Sequence, residues 1–241
     1  MPNIAIEKAS PNYNERSAKA VIDTIIIHYT GMPSLEAALH RLCDDSPEAE
    51  ARGRVSAHYV IDEDGKIYAL VDEYDRAWHA GVSFWRDRRD INDCSIGIEL
   101  VNRGHEFGYQ DFSRQQMDAL VKLCQGLMKR HPIKPVNVLG HSDVAPTRKV
   151  DPGEKFDWQY LARKGIGLWP DTDAEDNVRS QMYFSSQAVL RGALVRYGYD
   201  PDADTESLCR AFNLHYGRSD SKVLTVRAAT MLSWLNRKAL K

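Results

Sequence analysis

Apolar and polar residues follow two alternating patterns over the first two thirds of the chain. Short runs of consecutive apolar, often β-branched residues, as at 21–28 (VIDTIIIH) and 94–101 (CSIGIELV), are typical of strands buried on both faces. Residues 33–42 and 113–130 instead place apolar side chains on one helical face. Strands that alternate with helices in this way predict an α/β fold, with a central mixed sheet flanked by helices.

Three shorter strands complete the predicted sheet. Residues 56–61 and 66–70 are expected to pair across a turn at Asp64 and Gly65, and 136–140 forms a further short strand. Together with the longer runs, they supply the layer against which the helices are expected to pack.

The alternating pattern ends near residue 165. Glycine, proline and an acidic run (DTDAED) follow, and they mark a joint or an extended loop. Three helical stretches lie beyond it and predict a small three-helix bundle. The chain is therefore expected to consist of an α/β domain over 1–164, a linker over 165–179 and a helical domain over 180–241.

Composition and charge narrow the function classes. With a formal net charge of −2, the chain offers no overall attraction to nucleic acid or anionic lipid, so a nucleic-acid partner is not expected. No run approaches the roughly 18 apolar residues that cross a membrane, and the N-terminus lacks the basic start and apolar middle of a signal peptide. We therefore expect a cytoplasmic protein, with the periplasm or cell envelope as the alternative.

The four cysteines, Cys43, Cys94, Cys124 and Cys209, are widely separated. Their spacing matches neither a zinc knuckle nor a redox motif, and a chain of 241 residues needs no disulfide framework. They are expected to be free buried thiols, which fits a reducing compartment.

Two of the eight histidines stand at the ends of buried apolar strands, His28 in TIIIH and His141 in NVLGH. The end of a strand opens onto the rim of the sheet, where α/β proteins tend to place their functional sites. Either histidine alone could equally be a structural residue whose ring is satisfied by hydrogen bonds.

A carboxylate that follows His141 strengthens the functional interpretation. Asp151 stands in an Asp-Pro-Gly turn, where Pro152 restricts the backbone and Gly153 allows a tight reversal. Two histidines and one carboxylate, with water in the fourth position, make a catalytic rather than a structural zinc site.

A zinc hydrolase also needs a base near the attacking water and a positive group for the developing oxyanion. Glu99 ends the apolar CSIGIE run, where a carboxylate is costly unless it has a partner or a function. Lys149, two residues before Asp151, is the candidate cation, although an isolated lysine beside Arg148 would be taken as a solvated residue.

Five segments around these candidates resemble, in family order, the zinc-dependent N-acetylmuramoyl-L-alanine amidases of the amidase-2 superfamily. That superfamily includes muropeptide-recycling amidases, phage-lysozyme-type amidases and peptidoglycan recognition proteins. Five ordered blocks are far more specific than any single motif. The segments are IIIHYT (25–30), RVSAHYVIDEDGKIY (54–68), RAWHAGVS (76–83), NDCSIGIELVN (92–102) and GHSDVAPTRKVDPGEKFDW (140–158).

The resemblance implies a metal site and an activity. It implies that zinc is bound by His28, His141 and Asp151, that Glu99 polarises the water, and that Lys149 steadies the oxyanion. The reaction implied is hydrolysis of the amide between the lactyl group of N-acetylmuramic acid and L-alanine, in peptidoglycan or in muropeptides. Because position 151 is aspartate rather than cysteine, the chain resembles the recycling branch and its envelope relatives.

The resemblance also implies contacts with the substrate. Trp78 and His79 match the segment that lines the substrate groove, although Trp78 could equally be a core residue. Arg54 corresponds to an arginine that holds the acidic stem peptide, since a guanidinium suits carboxylate recognition. A second such arginine is in shifted register here, at Arg88 and Arg89.

The C-terminal helices resemble the peptidoglycan-binding module often fused to these amidases; the alternative is a helical addition that stabilises the catalytic domain. Two rival functions remain. A non-catalytic sensor of muropeptides would share the fold but has no need of the complete set of five catalytic and metal-binding residues. A zinc peptidase acting within the stem peptide is disfavoured because the chain has no HExxH helix.

Overall fold

A six-stranded mixed sheet forms the centre of the computed structural model, which describes residues 4–239. Two smaller two-stranded sheets flank it. In chain order the strands are β1 (Ile4–Glu7), β2 (Tyr13–Glu15), β3 (Thr24–Tyr29), β4 (Tyr59–Ile61), β5 (Ile67–Ala69), β6 (Asp75–Ala77), β7 (Phe84–Trp85), β8 (Arg88–Arg89), β9 (Ser95–Leu100) and β10 (Val138–Gly140).

The order of strands in the main sheet is β1-β5-β4-β9-β3-β10. Strands β4 and β5 form the predicted antiparallel hairpin, whereas β4, β9, β3 and β10 run parallel to one another. Parallel neighbours end at the same edge of a sheet, and the register pairs His28 directly with Glu99. The predicted mixed sheet is confirmed, and it gathers the candidate residues at one edge.

Helices cover both faces of this sheet, as predicted. The long helix 114–130 is capped by Ser113, whose hydroxyl accepts a hydrogen bond from the backbone N–H of Gln116. The helices are α1 (Leu35–Cys43), α2 (Pro47–Arg52), α3 (Gly104–Phe107), α4 (Arg114–Arg130), α5 (His141–Val144), α6 (Trp158–Arg163), α7 (Ala174–Ser180), α8 (Met182–Ser185), α9 (Gln187–Tyr197), α10 (Thr205–Phe212) and α11 (Val226–Trp234).

The alternation of side chains along β3 decides what each face of the sheet carries. Ile25 and Ile27 pack in the core beneath α4, and Ile26 packs in a second core on the opposite face. Because the side-chain period of a strand is two, His28 lies on the same face as Ile26. The face beneath α4 is therefore a hydrophobic layer, and the opposite face is available for a polar site.

The C-terminal helices share this second core with the sheet. Ile26 and Leu139 belong to the same buried cluster as Leu194, Phe212 and Leu232 from the tail. A cluster that draws on both parts of the chain means that the helical tail packs directly on the α/β layer. The division into separate domains at 165–179 stays a prediction.

The prediction of a joint or an extended loop is wrong for the end of the acidic run. Part of that run begins α7, where the Asp173 carboxylate accepts a hydrogen bond from the N–H of Asp176. Aspartate favours both loops and the first position of a helix, so the sequence pattern alone does not separate the two. Helix α7 packs against α11, and Arg237 forms ion pairs with Asp173 and Asp176.

The rest of the tail is helical, as predicted, but one helical stretch is interrupted and two others end in irregular turns. Ser186 separates α8 from α9 and caps α9, while α10 and α11 each continue into a wide π-type turn, at Asn213–Gly217 and Leu235–Ala239. The four cysteines are free thiols, and three of them are buried as expected, whereas Cys43 is half-buried. Within residues 4–239, no helix has the length and apolar character needed to cross a membrane.

Trp85 belongs to the hydrophobic core that the α/β layer and the C-terminal helices share. Its ring is fully buried and lies edge-on to Tyr197 and Tyr199, with ring centroids 5.5 and 5.3 Å apart. We predict that Trp85→Ala lowers the free energy of unfolding by about 3–5 kcal/mol, through lost burial and an unfilled cavity. Urea denaturation checks this, with Tyr74→Ala, an aromatic 73% exposed, as the control. A loss for Trp85→Ala no larger than the control's would contradict the shared core.

Candidate active site

Three predicted ligands converge in the structure. His28 Nδ1 lies 2.9 Å from His141 Nδ1, and each nitrogen lies 3.0 Å from Asp151 Oδ2. All three residues are buried, at 1%, 3% and 6% exposure. Two nitrogens and one oxygen therefore face one point beneath the surface, where together they could hold a metal ion.

A hydrogen bond on the far side of the His141 ring determines which of its nitrogens faces this point as an acceptor. His141 Nε2 lies 3.1 Å from the carbonyl oxygen of Ala80, which can only accept a hydrogen bond. A neutral ring that donates from Nε2 leaves an unprotonated Nδ1, so the lone pair of Nδ1 is directed at the cluster.

A longer chain of hydrogen bonds has the same effect on His28. The Ser95 hydroxyl donates to the Ile91 carbonyl at 2.6 Å, so it accepts from His79 Nε2 at 3.2 Å. His79 Nδ1 then accepts from His28 Nε2 at 3.1 Å. This assignment leaves His28 Nδ1 as an acceptor directed at the cluster.

Burial favours the neutral forms of the His28 and His79 rings. Burial and the neighbouring His141 lower the pKa of His28 to about 4, and burial with His28 nearby keeps the pKa of His79 well below its ordinary value. Burial opposes ionisation of Asp151, but the charge and the hydrogen bonds that His141 and His28 offer when their rings are protonated outweigh it and hold the pKa of its carboxyl well below its ordinary value.

This donor set fits zinc. Neutral imidazoles and a carboxylate are zinc ligands, and bonds of about 2 Å reach all three atoms from one point. The ligands line an open cleft of about 420 Å³, so a fourth position faces the space where a substrate would lie. Three protein ligands with one open position are typical of catalytic zinc sites.

Glu99 and Lys149 line the same cleft. Glu99 Oε2 is covered and has no hydrogen-bond partner among the residues that the structure describes. Burial and the charge of Asp151 raise the pKa of Glu99 well above its ordinary value, and Lys149 partly offsets this. Glu99 as a whole is half-buried, but a covered carboxylate oxygen without a partner is costly, which favours a role with a water or substrate atom in the cleft.

The three predicted substrate contacts lie in different places. His79 lines the cleft but is buried and bonded to His28. The indole Nε1 of Trp78 donates to Asn14 Oδ1 at 2.6 Å, and Arg54 donates to the carbonyl oxygen of Asp45 at 2.7 Å. Neither Trp78 nor Arg54 is among the residues that line the cleft. Their contact with substrate stays a prediction.

Several residues that sequence reasoning passed over take part in the site. Arg148 and Arg41 line the cleft, and Arg148 also donates to the carbonyls of Ala80 and Val82. The Asn92 side chain accepts from the N–H groups of His79 and Ala80 at 3.1 and 2.8 Å. Arg148 and Asn92 lie in the segments GHSDVAPTRKVDPGEKFDW and NDCSIGIELVN that carry the family resemblance, whereas Arg41 had no sequence signal.

Two glycines allow this close packing. A Cβ on Gly97 would lie 2.4 Å from the His79 ring, and a Cβ on Gly140 would lie 2.7 Å from Pro152 Cδ. Neither distance is possible between real atoms without a shift, and at both positions the neighbour belongs to the site. Glycine is therefore required here for close approach rather than for an unusual backbone conformation.

Sequence comparison identifies related enzymes. The sequence profile described as N-acetylmuramoyl-L-alanine amidase matches residues 18–154, which is more than half of the chain. AmiD from Escherichia coli K12, named as an N-acetylmuramoyl-L-alanine amidase, is 36% identical over 241 aligned positions. That alignment covers 87% of this chain and 82% of AmiD.

Solved structures extend the similarity to the whole fold. Escherichia coli AmiD in complex with anhydro-N-acetylmuramic acid-L-Ala-D-γ-Glu-L-Lys matches with a TM-score of 0.76 and 32% identity, over 94% of each chain. AmpDh3 from Pseudomonas aeruginosa, in complex with an anhydromuramic pentapeptide, matches with a TM-score of 0.78 and 34% identity. That match covers 95% of this chain and 97% of AmpDh3, so the similarity includes the C-terminal helices.

The hydrogen-bond chain behind His28 gives a direct test. We predict that Ser95→Ala weakens zinc binding roughly 10-fold or more, because His79 loses the acceptor that fixes its tautomer. Calorimetric titration of the metal-free protein with zinc measures this. Ser83→Ala is the matched control, because the Ser83 hydroxyl also contacts the backbone of Ile91 but not His79. Equal zinc affinity in the two variants would show that the chain does not orient His28.

Proposed function

The chain belongs to the N-acetylmuramoyl-L-alanine amidase family, and we propose that it is a zinc enzyme that cleaves the amide between the lactyl group of N-acetylmuramic acid and L-alanine. The observation that most strongly supports this function is the convergence of His28 Nδ1, His141 Nδ1 and Asp151 Oδ2 in an open cleft. Muropeptide amidase activity follows from the family, and the metal and the bond are the proposed details.

The nature of the substrate is supported by the complexes of two relatives. AmiD and AmpDh3 were each solved with a ligand that joins anhydromuramic acid to a peptide. A cleft of about 420 Å³ is within the usual range for a site that takes part of such a ligand. We infer that this cleft takes the muramic acid–L-alanine junction of a muropeptide or of peptidoglycan.

Zinc, when bound, supplies a Lewis acid and lowers the pKa of a water molecule toward neutrality. In the proposed reaction, Glu99 takes a proton from the attacking water and later returns it to the departing amine of L-alanine. Its raised pKa and its unpartnered Oε2 suit a group that must both accept and release a proton near neutral pH.

Lys149 is proposed to stabilise the negative charge that builds on the carbonyl oxygen during attack. It lines the cleft with Glu99, and its side chain forms no ion pair within the part of the chain that the structure describes. A cation without a protein partner remains available to the substrate.

The sensor alternative is not favoured. A muropeptide receptor would need a binding cleft, but it would not need a covered carboxylate oxygen without a partner beside three converging ligand atoms. Each of these features is costly in the absence of a cation and a reaction, and together they favour an enzyme.

Muropeptide digestion tests the proposed bond and the role of Glu99. We predict that the zinc-loaded chain releases free stem peptide that begins with L-alanine, and that a chelator abolishes the release. Glu99→Ala should lower kcat by roughly 10²–10⁴-fold, the usual contribution of a general acid–base group. Mass spectrometry of the products measures both.

The control for this experiment is Glu48→Ala, which removes an exposed carboxylate from α2, outside the cleft. It should leave the rate unchanged. Cleavage within the stem peptide would support the peptidase alternative, and binding without cleavage by the zinc-loaded wild type would support the sensor.

The same carboxylate should reduce the stability of the metal-free protein. The pKa of Glu99 is higher in the folded chain than its ordinary value of 4.5, so folding loses stability as the pH rises above 4.5 and the carboxyl ionises. We predict that Glu99→Gln, which cannot ionise, has a free energy of unfolding on the order of 1 kcal/mol higher than that of the wild type at pH 8. Urea denaturation at pH 4 and pH 8 checks this. A gain that is equal at both pH values would contradict the prediction.

A further inference from the structure

A second buried polar cluster lies beside the metal ligands, and it joins the C-terminal helices to the catalytic layer. Its centre is the carboxylate of Asp143, which is 1% exposed. Oδ2 accepts from the backbone N–H of Gly140 at 2.8 Å and from His215 Nδ1 at 2.7 Å, while Oδ1 accepts from the Tyr199 hydroxyl at 2.6 Å. Three donors therefore meet one carboxylate, and two of them come from the tail.

Asp143 is placed to control the backbone around His141. It lies in the four-residue helix α5, which His141 begins, and its bond to the N–H of Gly140 closes the turn that leads into that helix. Ser142, the residue that follows His141, donates its N–H to the Asp151 carbonyl at 3.0 Å. The turn that Asp143 closes is thus also tied to the third metal ligand.

The tail residues that hold Asp143 are themselves fixed. The His215 ring stacks on Trp158 at a centroid distance of 3.8 Å and an interplanar angle of 13°. Trp158 in turn lies 3.3 Å from the position that a Cβ on Gly140 would take. Tyr199 is fully buried and packs edge-on against Trp85.

We propose that the C-terminal helices are part of the catalytic apparatus, because Tyr199 and His215 act as positioning residues that hold Asp143 and, through it, the turn that presents His141. The contacts are buried, charge-assisted and short, which makes them strong and geometrically restrictive. The inference rests on the proposed zinc function, and it assigns the tail a role in metal binding that is independent of any contact with peptidoglycan.

A role limited to attachment would have a different signature. If these residues only joined the tail to the sheet, their loss would lower the stability of the chain but leave the zinc affinity of the folded protein unchanged. If they position His141, the folded variant itself should bind zinc more weakly, as when other outer partners of metal ligands are removed.

The test compares two buried tyrosines of the tail in the full-length chain. Tyr199→Phe removes the hydroxyl that donates to Asp143. Tyr197→Phe removes a hydroxyl whose one hydrogen-bond partner within residues 4–239 is Tyr216, at 2.7 Å. Both rings are buried in the same core. Each variant is stripped of metal and titrated with zinc at a temperature where circular dichroism shows it fully folded.

We expect Tyr199→Phe to weaken zinc binding about 3- to 10-fold and Asp143→Asn to weaken it roughly 10-fold or more, while Tyr197→Phe binds as the wild type does. Excess zinc should restore the amidase activity of Tyr199→Phe. Equal zinc affinities for Tyr199→Phe and Tyr197→Phe would overturn the inference and leave the proposed function intact. A wild-type chain that binds no zinc would overturn both.

Discussion

Three acceptor atoms from His28, His141 and Asp151 are held about 3 Å apart inside the protein, and this constraint accounts for most of the polar structure around them. Lone pairs that converge in a buried site are unfavourable unless a cation joins them or their rings are locked from behind. The locking groups are the Ala80 carbonyl and the His79 ring, and Asn92 fixes the backbone of both residues.

The register of the sheet brings His28, Glu99 and the start of the turn that holds His141 to one edge. Parallel pairing places His28 beside Glu99, and β10, the neighbour of β3 on its other side, ends directly before His141. The period of two then puts His28 on the face opposite α4, so the hydrophobic layer and the polar site do not compete for one surface. The tail covers part of that second face and closes the core around Trp85.

Much of this arrangement is predictable from sequence, because strand ends and turns have local signatures. The runs that end at His28 and Glu99 predict both the strands and the edge where they meet. The acidic run at α7 was misassigned because Asp173 caps a helix with the same chemistry that favours a loop. The Ser95–His79–His28 chain could not be predicted, since it depends on contacts across 16 and 51 positions that only the folded sheet brings together. The contact of Asp143 with Tyr199 and His215 depends on tertiary packing in the same way.

The central claim is that fixed tautomers direct one nitrogen of each histidine, together with Asp151, at a single zinc ion. The most direct measurement is an anomalous difference map at the zinc edge from crystals of the zinc-loaded chain. We predict one zinc ion bonded to Nδ1 of His28, Nδ1 of His141 and a carboxylate oxygen of Asp151. Zinc bonded through Nε2 of either ring, or no anomalous peak between these residues, would contradict it.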